Sequence, residues 1–201
     1  MGTVLMFGGT FNPPHNAHRL MLEAAAESRN FDKILIIPTN IPPHKEVASY
    51  CPDKEHRLNM CKLLAQGVEN AVVSDMELKR EGKSYTFDTL AELKKQYSDL
   101  AILIGADMVT TFFSWYRYKE ILNLCEIVAV RRPGIDNCDF DEAVARLKNE
   151  GSKITVLEVK MPDISSTDIR EQESGESTLI LEKVPKNIYE YIASNNLYPT
   201  K

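Results

Sequence analysis

Two histidines three residues apart, His15 and His18, close the stretch GGTFNPPHNAH (residues 8–18), which also holds two glycines and two prolines. An apolar run, Val4–Phe7, precedes it and an amphipathic segment, Arg19–Ser28, follows, so the stretch reads as a strand-to-helix turn. Gly8 and Gly9 let backbone N–H groups approach an anion with no Cβ in the way, and the helix that follows aims its positive end at the same place. Such a turn also carries glycine for steric reasons alone, so these two residues do not by themselves decide for a phosphate cradle. The histidines shift the balance, because their spacing puts both rings on one side of the helix start. A cation in a first helical turn opposes the dipole unless an anion is present, and Arg19 follows directly. Helix capping and zinc ligation are the alternatives for these histidines. The second lacks a third and fourth ligand at useful spacing, since His44 and His56 stand far along the chain.

Similar chemistry recurs in ISSTDIR (164–170). Ser165-Ser166-Thr167-Asp168 reads as a capping box, hence a helix start with hydroxyls and N–H groups, and Arg170 again places a cation in a first turn. Lys45, behind the stiff Pro42-Pro43 pair, is either a third phosphate cation or a solvated surface lysine. Arg170 and Lys45 both read as exposed in the absence of ligand. Asp107, just beyond the run LAILIG, suits a ribose hydroxyl or, alternatively, the N-cap of a helix starting near Met108. Trp115, the only tryptophan, lies in FFSWYRY and is either a core anchor or a stacking platform. No Ser-His-Asp or Cys-His constellation is evident. The residues supply donors and cations, which is what phosphate chemistry by positioning and charge stabilisation needs.

The elements that must position these groups alternate along the chain. Strand-like runs TVLMFG, KILIIPT, AVVSDM, LAILIG, EIVAVRR and KITVLEV are separated by helical segments such as HRLMLEAAAES, EHRLNMCKLLAQG, TFDTLAELKKQY and DEAVARLKNE. This alternation predicts an α/β fold, Rossmann-like and doubly wound, with a mainly parallel sheet and helices on both faces. The strands are continuous apolar runs, as expected when both faces are covered. In such a sheet ligands bind beyond the carboxyl ends of the strands where strand order reverses. The first run and LAILIG both end in glycine-marked loops; if the two are neighbours across that point, the opening loop lies in the crevice. Residues 171–183 are the most loop-like, and VPKNIYEYI reads as a closing helix with Pro185 near its first turn.

At 201 residues and 43% hydrophobic, the chain is expected to form one domain, residues 1–201. The net charge of -5, with Lys and Arg scattered among Asp and Glu, gives no basic stripe for non-specific nucleic-acid binding. Cys51, Cys61, Cys125 and Cys138 show no CxxC spacing and read as reduced thiols, Cys61 and Cys125 within apolar patterns. The N-terminal MGTVLMFGG has neither a basic n-region nor the length of a membrane span, so a cytoplasmic location is expected, with no membrane partner. A homo-oligomer is compatible with this composition.

The opening stretch resembles the GGTFDPPHxGH signature of HxGH-type nucleotidyltransferases, which share a Rossmann-like core. IPTNIPPHK (37–45), DMELKREGKSYTFDTL (75–90), LIGADMVTTFFSWYRYKEIL (103–122), VRRPG (130–134) and ISSTDIR then occur in the order found in bacterial nicotinate-nucleotide adenylyltransferases. The closing VPKNIYEYIASNNLY matches that family's last helix, so the resemblance spans essentially the whole chain. It implies transfer of AMP from ATP to nicotinate mononucleotide, with Mg2+ accompanying ATP and no tightly bound protein-ligated metal. By the same resemblance His15, His18 and Arg170 carry the chemistry, and Gly8, Gly9, Thr10, Phe11, Lys45, Gly105, Ile164, Ser165, Ser166 and Thr167 hold ATP and its phosphates. Asn40, Tyr85, Thr86, Asp107, Trp115 and Arg131 would face the mononucleotide, with Trp115 against the pyridine ring. Two positions depart from the family pattern: Asn12 stands where Asp is usual, removing a charge near the polyphosphate. Ala17 stands where Gly is usual, and its methyl is expected near the nucleotide. Competing readings are an adenylyltransferase for another acceptor, nicotinamide mononucleotide or phosphopantetheine, and a nucleotide-binding module without turnover. A zinc hydrolase built on the four histidines is the more distant alternative.

Overall fold

The structure, a computed structural model, describes residues 2–43, 51–131, 138–171 and 182–198. Six strands, β1 (Thr3–Gly9), β2 (Lys33–Pro38), β3 (Ala71–Val73), β4 (Asp99–Gly105), β5 (Glu126–Arg131) and β6 (Ile154–Glu158), form one sheet. Their order is β3-β2-β1-β4-β5-β6 and every pairing is parallel. The helices are α1 (Asn16–Ser28), α2 (Lys54–Ala65), α3 (Met76–Lys79), α4 (Thr86–Leu93), α5 (Ala106–Thr111), α6 (Tyr118–Leu124), α7 (Cys138–Asn149), α8 (Ser166–Arg170) and α9 (Lys186–Ser194). A 3-10 turn, Phe112–Ser114, follows α5.

The apolar runs divide by the two-residue period of a strand. Leu5 and Phe7 of β1, Ile34 and Ile36 of β2, and Ala101 and Leu103 of β4 join one core cluster with Leu22 of α1, Met60 and Leu64 of α2, and Ile188 of α9. Val4 and Met6, Leu35 and Ile37, and Leu100 and Ile102 join the other, with Leu90 of α4, Val109 of α5 and Leu147 of α7. Both faces of the central strands are therefore covered, which is why their sequences do not alternate. Cys61 and Cys125 are buried in these clusters, and burial pushes the Cys125 thiol up to about 12 and the Cys61 thiol higher still. All four cysteines are free thiols.

Strand order reverses beside β1, which has β2 on one side and β4 on the other. The loops that leave β1 and β4 therefore open into the crevice expected from their glycines. Pro185 is the N-cap of α9, so its missing N–H falls where a helix has no intrahelical acceptor to lose. None of the described helices is long and apolar enough to cross a membrane.

Candidate active site

The turn after β1 is packed tightly against the body of the protein. Phe11, Asn12, Pro13, Pro14 and His15 are all buried. Phe11 takes a left-handed φ of 49° and tucks its ring edge-on against Phe7, with centroids 5.4 Å apart. A Cβ on Gly9 would meet the Phe11 ring at 3.0 Å, so this glycine is required for the close approach of the turn. The Asn12–Pro13 peptide is cis.

His15 is the N-cap of α1, and its backbone N–H donates to Nδ1 of His18 at 3.2 Å. The two rings stack, 3.7 Å between centroids and 27° between planes. Because Nδ1 of His18 accepts, the proton of the neutral ring sits on Nε2, which becomes a donor held in fixed orientation. Capping and catalysis are thus not alternatives for these histidines; the capping bond sets the tautomer.

Arg19, read above as a cation seeking a phosphate, is satisfied otherwise. Its Nη1 donates to the carbonyls of Leu64, 2.7 Å, and Gln66, 2.6 Å, and its Nε pairs with Glu23 at 2.6 Å. The C-terminal end of α2, with its unpaired carbonyls and negative dipole end, takes this cation. Ala17 also differs from expectation. It is 1% exposed and lies on the inward face of α1 with Met21, Leu22 and Ala25, so its methyl faces protein and not the open crevice.

The segment ISSTDIR folds onto the opening turn. Ser165 is the N-cap of α8: its Oγ accepts from the Asp168 N–H at 3.1 Å, and Asp168 Oδ2 accepts from the Ser165 N–H at 2.8 Å, completing the capping box. Hydrogen bonds from the Ser165 hydroxyl and N–H hold the Asp168 carboxyl below the usual carboxylate range. Ser166 Oγ donates to the Pro13 carbonyl at 2.8 Å, and Arg170 Nη1 donates to the Asn12 carbonyl at 2.7 Å. Arg170 Nη2 reaches Thr167 Oγ1 at 3.2 Å, and Ile164 is buried beneath. Arg170 is therefore half-buried and bonded, not the exposed cation its sequence position suggested. Asn12 is buried as well, and its Oδ1 accepts from the hydroxyl of Tyr198 at 2.7 Å. The group that departs from the family pattern is hydrogen-bonded inside the fold.

On the β4 side, Gly105 is the N-cap of α5, which excludes Asp107 as the cap and places it in the first turn. A Cβ on Gly105 would meet Asp107 Oδ1 at 2.9 Å, so the carboxylate lies back over the strand end. Trp115 is half-exposed and packs on Phe112 at 5.0 Å, and Tyr85 stacks near Tyr116 at 4.6 Å. Tyr85 is the N-cap of α4 and Thr86 its first residue. Asn40 joins this region to β2: its N–H donates to Ser84 Oγ at 3.2 Å and its Nδ2 to the Arg80 carbonyl at 3.0 Å, while Ile41 pairs with Lys83. Arg131, at the end of β5, is turned to α7 and β6, where it pairs with Asp141, reaches Glu158 at 3.9 Å and lies over Phe140. It is the one described candidate that the structure ties elsewhere by ion pairs. Lys45 lies outside the described residues. No group of three or more His, Cys, Asp or Glu among the described residues is placed to hold a metal ion.

Sequence reasoning missed the polar groups that support this site from below. Arg57, on the inner face of α2, donates to the carbonyls of Thr10, 3.1 Å, and Thr39, 2.6 Å. Glu77 of α3 accepts from Thr89 Oγ1 at 2.7 Å, and burial raises its carboxyl above the usual range. A charged residue at a core-facing helical position was the available signal, since charges are seldom buried without a function or a partner.

The histidine turn and the start of α8, expected to meet phosphate, thus lie together at the switch point of a parallel sheet, the arrangement of a nucleotide-binding protein of the Rossmann-like class. Residues 6–172 match the cytidylyltransferase-like family. Over 203 aligned residues the chain is 36% identical to nicotinate-nucleotide adenylyltransferase of Bacillus subtilis, covering 98% of this chain and 99% of the relative. The chain belongs to the nicotinate-nucleotide adenylyltransferase family. Its fold is also that of Plasmodium falciparum nicotinic acid mononucleotide adenylyltransferase. The structure of that protein complexed with APC superposes with a TM-score of 0.80 at 17% identity, and that with NaAD with 0.81 at 18%. Each comparison covers 100% of this chain and 99% of the other.

Proposed function

We infer that the chain transfers AMP from ATP to the 5'-phosphate of nicotinate mononucleotide, releasing pyrophosphate and forming deamido-NAD. The observation that carries this reading is the full-length similarity to the Bacillus subtilis enzyme, joined to the docking of α8 on the histidine turn. The acceptor phosphate is already anionic, so a phosphate oxygen attacks the α-phosphorus with no protein nucleophile and no strong general base. The O–P bond to the acceptor forms as the bond to pyrophosphate breaks, and the protein contributes position and charge stabilisation.

In this reading the backbone of Gly8, Gly9, Thr10 and Phe11 approaches the triphosphate from one side. The start of α8, with Ile164 through Thr167, closes it from the other, and Lys45 adds a cation. His18, with its donor on Nε2, and His15 stacked against it meet the charge that develops on the α-phosphate oxygens. Arg170 adds a cation beside them. Gly105 leaves room at the β4 end for the nucleotide, and Asp107 takes a ribose hydroxyl. Trp115 stacks on the pyridine ring, with Tyr85, Thr86 and Asn40 around its carboxylate; Arg131 would reach the mononucleotide only by leaving its pairs with Asp141 and Glu158. Mg2+ accompanying ATP would neutralise charge on its phosphates, with no residue of this chain assigned as its ligand. The chain acts as one domain in the cytoplasm, without nucleic acid, and a homo-oligomer is compatible with this reading. A pyrophosphate-release panel of ATP and CTP against nicotinate mononucleotide, nicotinamide mononucleotide and phosphopantetheine tests the reading. Turnover is expected with ATP and nicotinate mononucleotide, and ATP binding without pyrophosphate release would identify a module without turnover.

A further inference from the structure

One buried cation has no part in the roles just given. Arg57 is 4% exposed and shares the inner face of α2 with Met60, Cys61 and Leu64. Taking a guanidinium out of water is costly unless its donors are paired, yet no carboxylate among the described residues forms an ion pair with it. Its Nη1 is committed instead to two backbone carbonyls, those of Thr10 and Thr39.

Those two carbonyls occupy equivalent places. The parallel register of β1 and β2 ends at Gly9 opposite Pro38, and one further bond, from the Thr39 N–H to the Gly9 carbonyl at 2.8 Å, closes the ladder. Thr10 and Thr39 are the first residues past the strand ends, one leading into the histidine turn and the other into Asn40. A single guanidinium thus bridges the two chains where sheet hydrogen bonding stops holding them together. Glu77, 2% exposed, accepts from Thr89 Oγ1 at 2.7 Å, and the nearby hydroxyls of Thr39 and Ser84 favour its charged form. Ser84 in turn accepts from the Asn40 N–H. Arg57, Thr39, Glu77 and Ser84 thus form a cluster of polar groups between the β1 turn and the residues just before α4.

We propose that Arg57 is a positioning residue that fixes the ATP-binding turn at Thr10 relative to the mononucleotide-binding segment at Thr39–Asn40. This rests on the adenylyl-transfer reading above. An in-line displacement between two bound phosphates needs the attacking oxygen and the α-phosphorus about 3 to 3.5 Å apart, and a misplacement near 1 Å costs about 10²-fold in rate. Arg57 touches neither substrate; it acts through Thr10 and Thr39. Both carbonyls accept from the same nitrogen, Nη1, and the rigid planar group that carries it fixes their separation more firmly than a freely rotating ammonium on a shorter stem would.

The test compares wild type with Arg57→Met, Arg57→Lys and Thr39→Val in the full chain. It reads kcat, KM and the binding constant of each substrate alone by calorimetry. Each binding segment remains intact by itself, so the dissociation constants for ATP and for the mononucleotide should each stay within about threefold of wild type, whereas kcat should fall about 10²-fold in Arg57→Met and about tenfold in Arg57→Lys. Thr39→Val, which keeps the carbonyl that Arg57 bonds and removes only the hydroxyl beside Glu77, should give a smaller loss of the same kind, and Arg57→Lys decides the matter if Arg57→Met does not fold. Backbone amide exchange should speed up at residues 8–12 and 38–41 together while β5 and α7 keep their protection. Folded Arg57→Met or Arg57→Lys enzyme with wild-type kcat, or exchange raised across the whole sheet, would overturn the proposal. If wild type releases no pyrophosphate with any mononucleotide, the functional reading fails, and the exchange pattern still decides whether Arg57 couples the two segments.

Discussion

Replacing His18 by alanine separates its two jobs. The substitution removes the acceptor of the His15 N–H, the 3.7 Å stack on His15 and the contact with Phe11 at 5.0 Å. A lost cap is worth about 1 kcal/mol and each aromatic contact about 0.5 to 1.5, so the protein should lose about 2 to 4 kcal/mol of stability. For a chain of this size each kcal/mol lowers Tm by about 2 to 4 °C. Against a total stability of about 5 to 15 kcal/mol, most or all of the variant remains folded at 25 °C, so unfolding cannot account for a large loss of rate. Removing the Nε2 donor should lower kcat by about 10² to 10³-fold, as losing one donor to a developing oxyanion does. Steady-state pyrophosphate release at saturating ATP and mononucleotide, alongside thermal melts, reads both effects. A lowered Tm with kcat within about threefold of wild type would reduce His18 to a helix cap and refute the assignment.

Other residues give independent checks. Arg170→Ala should raise the KM for ATP and also lower Tm, since it frees the Asn12 carbonyl as well as the phosphate contact; a melt identical to wild type would contradict the bond at 2.7 Å. Tyr198→Phe leaves the buried Asn12 Oδ1 without that donor and should cost about 1 to 3 kcal/mol in urea denaturation, an unshifted midpoint being the contrary result. Glu77 supplies a pH dependence. Burial raises its folded-state pKa above the unfolded value, so the folded form binds more protons and the stability this group contributes falls as pH rises through the interval between the two. Glu77→Gln removes that titration, so its stability relative to wild type should improve as pH rises from about 4 toward neutrality; a constant difference across melts in that range would show that the carboxyl titrates normally.

The sheet was legible because its strands are buried on both faces and leave unbroken apolar runs, and because Gly8-Gly9 and Gly105 mark the two loops that the order reversal brings together. Ser165 and Asp168 announced their helix start, since a capping box is local in sequence. What sequence left hidden was long-range. Arg19 looked like a phosphate ligand from its place in α1, but the two carbonyls that take its Nη1 lie more than forty residues away at the end of α2. Arg170 looked exposed until α8 was seen against the Asn12 carbonyl. Arg57 and Glu77 were missed, although Arg57 falls on the apolar face of α2, because the groups each bonds come from other elements. Ala17 was judged by its neighbours in the motif, whereas its exposure is set by the helix face on which it falls.

The choice of acceptor tests the account most directly. The start of α4, at Thr86 beside the aromatic pair Tyr85 and Tyr116, offers N–H groups and a positive dipole end, which suit a carboxylate and not a neutral amide whose own NH2 would meet donors. Stacking by Trp115 does not discriminate between the two rings. Unsatisfied donors cost about 1 to 3 kcal/mol, so the ratio of kcat/KM for nicotinate over nicotinamide mononucleotide, measured with ATP under identical conditions, should be about tenfold to a hundredfold. A ratio near one, or one favouring the amide, would contradict the placement of the acceptor at Tyr85, Thr86 and Trp115.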